Sequence, residues 1–144
     1  MKPVVQEEKT GCGIASSAAI AGISYCEAKN VANGLGIFAD DQSLWSDTAY
    51  IRRILDRLGF KTANTEFPFT AWEALPDCAL LSIKWRQISG SPFWHWVVFV
   101  REGHEQYVLD SKKALKTNKR TDFGRMRPKW FIPVTPNNKI NRIA

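Results

Sequence analysis

The stretch "GCGIASSAAIAG", residues 11–22, sets a cysteine between two glycines where a run of small, helix-compatible residues begins. Ile14, Ala18 and Ala21 fall on one helical face with Ile20 beside it, and the surrounding Ala and Ser keep every side narrow. The run reads as a buried helix that its neighbours approach closely, with Cys12 at its N-terminus. There the unsatisfied backbone N–H groups and the positive end of the helix dipole favour thiolate over thiol. A buried cysteine is otherwise just a small hydrophobe. The position therefore matters more than the residue type.

Downstream, "SYCEAKNVANGLG" (residues 24–36) has Ser24 as a cap, Glu27 three residues on as its capping-box partner, and Gly34 or Gly36 as a stop. "DQSLWSDTAYIRRILDRLGF" (41–60) spaces Leu44, Trp45, Thr48, Ile51, Leu55 and Leu58 three or four apart and predicts one amphipathic helix ending at Gly59. Beyond it the period shortens. "FKTANTEF" holds a short strand, "TAWEAL" a single helical turn stopped by Pro76, and "CALLSIKW" a buried strand. "HWVVFVREGHEQYVLDS" (95–111) reads as two strands joined at Glu102-Gly103-His104, and "WFIPV" as a last strand, placed at an edge by Pro133. Helices come first and an antiparallel sheet second, which argues α+β.

At 144 residues the chain suits one domain, 1–144, with a frayed tail expected over 136–144. Net charge is +6, but residues 112–129 hold eight Lys/Arg against Asp122 alone, or +7, leaving the remainder at −1. This basic segment brings no nucleic-acid motif with it, so no specific nucleic-acid partner is expected. Cys12, Cys26 and Cys78 cannot all pair within one chain and show no zinc spacing, which fits a reduced compartment; Cys26 and Cys78 read as core. No metal or cofactor is implied. No signal peptide or membrane span is visible, and the expectation is a cytoplasmic protein. The number of subunits is not encoded in these features.

A catalytic thiol needs a base, a group that orients the base, and donors for the oxyanion. Cys12 supplies the nucleophile and one backbone N–H. Gln6, six residues upstream, supplies a side-chain amide. His95 follows "SGSPF", read as a flexible loop able to carry an imidazole into a cleft, and Asp110 ends the next strand. A turn centred near Gly103 places Asp110 directly across from His95, where a carboxylate fixes the ring tautomer and stabilises imidazolium. Trp94 and Trp96 flank His95 and read as core or cleft wall, where aromatic walls would also bind an apolar substrate side chain; His104 reads as surface.

Gln6, Gly11-Cys12-Gly13 opening a small-residue helix, His95-Trp96-Val97-Val98, and Val108-Leu109-Asp110, in this order, resemble the papain-like cysteine peptidases. The similarity is greatest to the compact bacterial peptidases that remove double-glycine leaders from bacteriocin precursors, over about residues 6–111. It implies a papain-like fold with Cys12 as nucleophile, His95 as general base and acid, Asp110 as orienting carboxylate and Gln6 as oxyanion donor. A peptide or protein substrate is expected beside Gly11, Gly13, Trp94 and Trp96, with backbone geometry as the other reading of the two glycines. Gly11 stands where that family usually carries Asp, and Ser111 where Pro is common. Two other readings share these residues: deamidation or acyl transfer at the same site, and a non-catalytic module binding anions through residues 112–129.

Overall fold

The computed structural model describes residues 1–137. Three helices lead: α1 (Cys12–Ala21), α2 (Tyr25–Gly34) and α3 (Ala49–Arg57). Strands β1 (Phe60–Thr62), β2 (Phe67–Pro68), β3 (Cys78–Ile88), β4 (Ser91–Glu102), β5 (Glu105–Leu109), β6 (Lys119–Arg120) and β7 (Trp130–Pro136) follow, with the single turn α4 (Phe123–Met126) before β7. The sheet runs β1-β7-β3-β4-β5-β6, with β2 also paired to β7 and every pairing antiparallel. The fold class is α+β, and no helix among the described residues is long and apolar enough to cross a membrane.

The alternation of the central strands puts a core on each sheet face. Leu80, Trp96, Val98 and Val100 pack under α1, α2 and α3, while Ala79, Leu81, Ile83, Val97 and Phe99 face Leu75, Val108 and Met126. The helix α1 is buried along nearly its whole length, which its Ala and Ser side chains permit. In α2 the Ser24–Glu27 capping box forms, and Tyr25, Ala28 and Ala32 point inward. Cys26 lies on the opposite, exposed side rather than in the core, and Cys78 is half-buried at the start of β3.

Four other expectations change. The single helix over 41–60 is broken: Gln42–Ser46 is a 3-10 turn, and Asp47 accepts from the Ala49 N–H at 2.9 Å, starting α3 afresh. "SGSPF" is not a flexible loop. Ile88 pairs with Ser91 across Ser89-Gly90, both at positive φ (52° and 83°), a tight two-residue hairpin that locks β4 from Ser91 onward. The strand β7 is internal, between β3 on one side and β1 and β2 on the other. Pro133 is tolerated because its carbonyl, accepting from Ala63 at 3.2 Å, shows that its nitrogen faces the gap between β1 and β2, where no ladder donor is needed. Pro136, placed in the frayed tail, pairs with Phe60, and residues 138–144 of that tail lie outside the described residues.

Gly13 is pressed against the Tyr50 side chain, with no room for a Cβ, whereas Gly34 at the end of α2 faces open space. Gly13→Ala should therefore cost about 1–3 kcal/mol through overpacking, and Gly34→Ala should change stability by at most about 1 kcal/mol. Thermal unfolding of the two variants checks the difference.

Candidate active site

Cys12 is the first residue of α1, with Gly11 as N-cap, and the first helical bond is Ala15 N–H to the Gly11 carbonyl at 2.9 Å. Its own N–H therefore has no acceptor within the helix. The approach to this point is tightly held. Glu8 is bonded by the Tyr25 hydroxyl and by Lys29 at 2.5 Å, both from α2, and the Thr10 hydroxyl donates to the Ala39 carbonyl. A Cβ on Gly11 would strike the Tyr25 hydroxyl. The two glycines flanking Cys12 serve close packing against two tyrosines. Tyr50, wholly buried beside Gly13, is pushed well above the usual phenol range by burial and then by its nearness to Cys12.

His95 sits within β4 opposite Ile83, and its Nε2 lies 2.7 Å from Asp110 Oδ1. The pairing differs from the expected one. Val98 faces Leu109, so continuing the ladder by one residue sets Asp110 across from Val97, with His95 two residues further along the same face. The diagonal is within reach of the aspartate side chain. Cys12 is near enough to the imidazole to favour its charged form. With Nε2 committed to Asp110, Nδ1 is the nitrogen left for the sulfur. The structure thus brings Cys12, His95 and Asp110 to one place.

Asp110 is buried and saturated. Oδ1 also accepts from the Lys112 backbone N–H at 3.1 Å, and Oδ2 accepts from Arg120 Nη1 at 3.0 Å. Burial alone would raise its pKa; the hydrogen bond and charge of His95, with Lys112 and Arg120, hold it instead at about 2. Burial likewise opposes charge on His95, but Asp110 and Cys12 outweigh it and raise the imidazole to about 9. Arg120 is itself held by a two-point contact with Asp122, at 2.9 and 2.7 Å. One cation of the basic segment is therefore part of the site's foundation, a role that eight similar charges in one run do not reveal.

Gln6 is buried near the pair, but not as a free donor. Its amide nitrogen donates to the Glu8 and Lys9 carbonyls at 2.9 and 3.1 Å, and its amide oxygen accepts from the Ser111 hydroxyl at 2.7 Å. The Gln6 N–H also donates to the Ser111 carbonyl at 2.9 Å. Ser111, noticed in the sequence only as a departure, clamps Gln6 to the residue after Asp110. Trp94 lines the cleft that reaches His95 and Gln6, but Trp96 is fully buried, edge-on to Trp94 and Trp130, and forms no wall. His104 is exposed in the β4–β5 turn. Among the described residues no group of His, Cys, Asp and Glu is placed to hold a metal.

No family model matches the sequence, and no curated protein matches it. Solved structures do. The peptidase domain of Streptococcus ComA, a bi-functional ABC transporter involved in a quorum-sensing pathway, superposes with a TM-score of 0.62 at 16% identity, over 94% of this chain and 98% of that one. A double glycine motif protease from an AMS/PCAT transporter, solved in complex with the leader peptide, superposes with a TM-score of 0.59 at 15% identity, over 94% and 91%. At these identities the likeness shows the fold: that of papain-like peptidase domains.

The two titrations carry opposite signs for stability. The raised His95 pKa contributes stability that is full below its ordinary 6.5 and is lost as pH rises through about 9. The depressed Asp110 pKa contributes stability above 3.8 that is lost as pH falls through about 2. An NMR titration of the His95 ring should show a midpoint near 9 that falls in Asp110→Asn; a midpoint near 6.5 in both proteins would contradict the pairing.

Proposed function

We propose that the protein is a cysteine peptidase that cleaves a peptide bond through an acyl-cysteine intermediate. The observation that carries this reading is the buried, fully bonded Asp110 holding His95 beside a cysteine at the N-terminus of a helix. The Cys12 sulfur attacks the scissile carbonyl carbon, and the Cys12 N–H faces the developing oxyanion. The C–N bond breaks as the His95 imidazolium gives its proton to the leaving amine. Water, deprotonated by His95, then attacks the acyl carbon, releasing the acid and restoring the thiol.

Gln6 is the second oxyanion donor in this mechanism. Both of its amide hydrogens are engaged by the Glu8 and Lys9 carbonyls, so one must be released when substrate arrives. The Ser111 hydroxyl holds the amide oxygen and keeps the NH2 turned towards the loop that leads to Cys12. Peptides ending their acyl half in two glycines are the substrate class to try first, because the structural neighbour named for its double-glycine motif was solved with a leader peptide. Trp94 beside His95 supplies an apolar surface for such a chain.

Cleavage of double-glycine peptides, followed by mass spectrometry, tests the proposal. Cys12→Ala and His95→Ala should each lower turnover by about a thousandfold or more, because triad members act as a unit. Ser111→Ala should lower kcat more modestly, by about tenfold, through a misaligned Gln6. Turnover retained in Cys12→Ala would exclude the mechanism.

A further inference from the structure

Four cations from three separate stretches converge on the cleft beside His95. Lys9 comes from the loop before α1, Lys84 and Arg86 from β3, and Lys112 from the segment after β5; together they border a space of about 330 Å³ that also reaches His95 and Gln6. No carboxylate borders it, and none of the four cations has an ion-pair partner among the described residues. The strand β3 is irregular here: its register shifts between Ile83 and Arg86, and Lys84 adopts φ 54°. The bulge inserts one extra residue opposite the Trp94 level of β4 and redirects the strand that carries Lys84 and Arg86.

Assembling like charges costs energy unless a counter-charge arrives. The cost is visible at Lys84, whose pKa is lowered, first by burial and then by contact with Lys112. Asp110 offsets the group only in part: its charge favours protonated Lys84, but its two oxygens are bonded to His95, the Lys112 backbone and Arg120 rather than to any of the four cations' side chains. The cleft is therefore a local positive field open to a ligand, one step from the reacting atoms.

We propose that this cleft binds a carboxylate on the leaving fragment of the substrate. The inference rests on the peptidase reading. In that reaction His95 protonates the leaving amine, so the residues that follow the scissile bond lie over the imidazole. The cleft is bordered by His95 but not by Cys12, which is only 3% exposed, so its occupant sits on the leaving side. Two sources present the same chemistry there: an acidic side chain shortly after the bond, or a free C-terminal carboxylate on a short leaving fragment. The first makes the protein an endopeptidase selective for an acidic position, the second an enzyme that trims C-termini.

Three peptides with the same acyl half ending in Gly-Gly separate these cases. One has a neutral, amidated leaving half; the second replaces Gln by Glu within two residues of the bond; the third keeps Gln and ends in a free carboxylate at that distance. At low salt, kcat/KM should rise about tenfold over the neutral peptide for the second or the third, the scale of one partly desolvated charge pair. That gain should disappear in the Lys84→Gln/Lys112→Gln double variant. Three equal rates would overturn the carboxylate site and leave the peptidase standing.

If none of the three is cut, the peptidase reading fails and the cleft is tested without turnover. Alkylation by anionic iodoacetate and neutral iodoacetamide is compared at Cys12, with exposed Cys26 as the internal reference. A charged cleft predicts an iodoacetate-to-iodoacetamide ratio several-fold higher at Cys12 than at Cys26, falling in the double variant. A ratio that the double variant leaves unchanged overturns the proposal.

Discussion

A single buried carboxylate organises this molecule. Asp110 gives one oxygen to His95 and the Lys112 N–H and the other to Arg120, so the charge is compensated on every side it presents. An ion buried this deeply is tolerable only with such complete pairing. The consequence runs outward. The imidazole is fixed in orientation and kept protonated towards pH 9, and the strand end carrying Asp110 is tied to β6 through Arg120 and through the Asp110 N–H, which donates to the Asn118 carbonyl at 2.8 Å.

Cys12 is held from the other direction. The N-terminal segment docks against the residue after Asp110 through two Gln6–Ser111 bonds, and Glu8 is gripped by Tyr25 and Lys29 of α2. The chain then enters α1 through Gly11, beneath a tyrosine hydroxyl that leaves no space for a side chain. The thiol and the imidazole thus belong to different layers, helical and sheet, and are brought into register by contacts on both sides of Cys12 and His95. A proline at this position would lack the hydroxyl that Ser111 uses on Gln6. The Ser111 hydroxyl adds a contact to the site.

Much of this was legible in the sequence because it rests on local patterns. The small-residue run after Cys12, the Ser24–Glu27 box and the apolar alternation of β3 and β4 each encode their element directly. What failed depended on spacing that composition does not set. A two-residue turn at Gly103-His104 shifts the β4–β5 register, so Asp110 meets His95 diagonally rather than face to face. Pro133 pointed to an edge, but the gap between β1 and β2 on one side of β7 accommodates it. Cys26 looked like core from its residue type, yet the inward face of α2 is set by Tyr25, Ala28 and Ala32. Arg120 and Ser111 were hidden for another reason: their partners lie across the sheet or far away in the chain, and no one-dimensional period records such a contact.

In the proposed reaction, Asp110 and His95 make Cys12 a reactive nucleophile. The most direct test is the pH dependence of alkylation by iodoacetamide, resolved residue by residue by mass spectrometry, in the wild-type protein and in His95→Ala. Cys12 should react ahead of the exposed Cys26 at neutral pH despite being buried itself, and should lose this advantage without the imidazole. Reactivity at Cys12 that climbs with pH in step with Cys26, and is indifferent to His95, would contradict it.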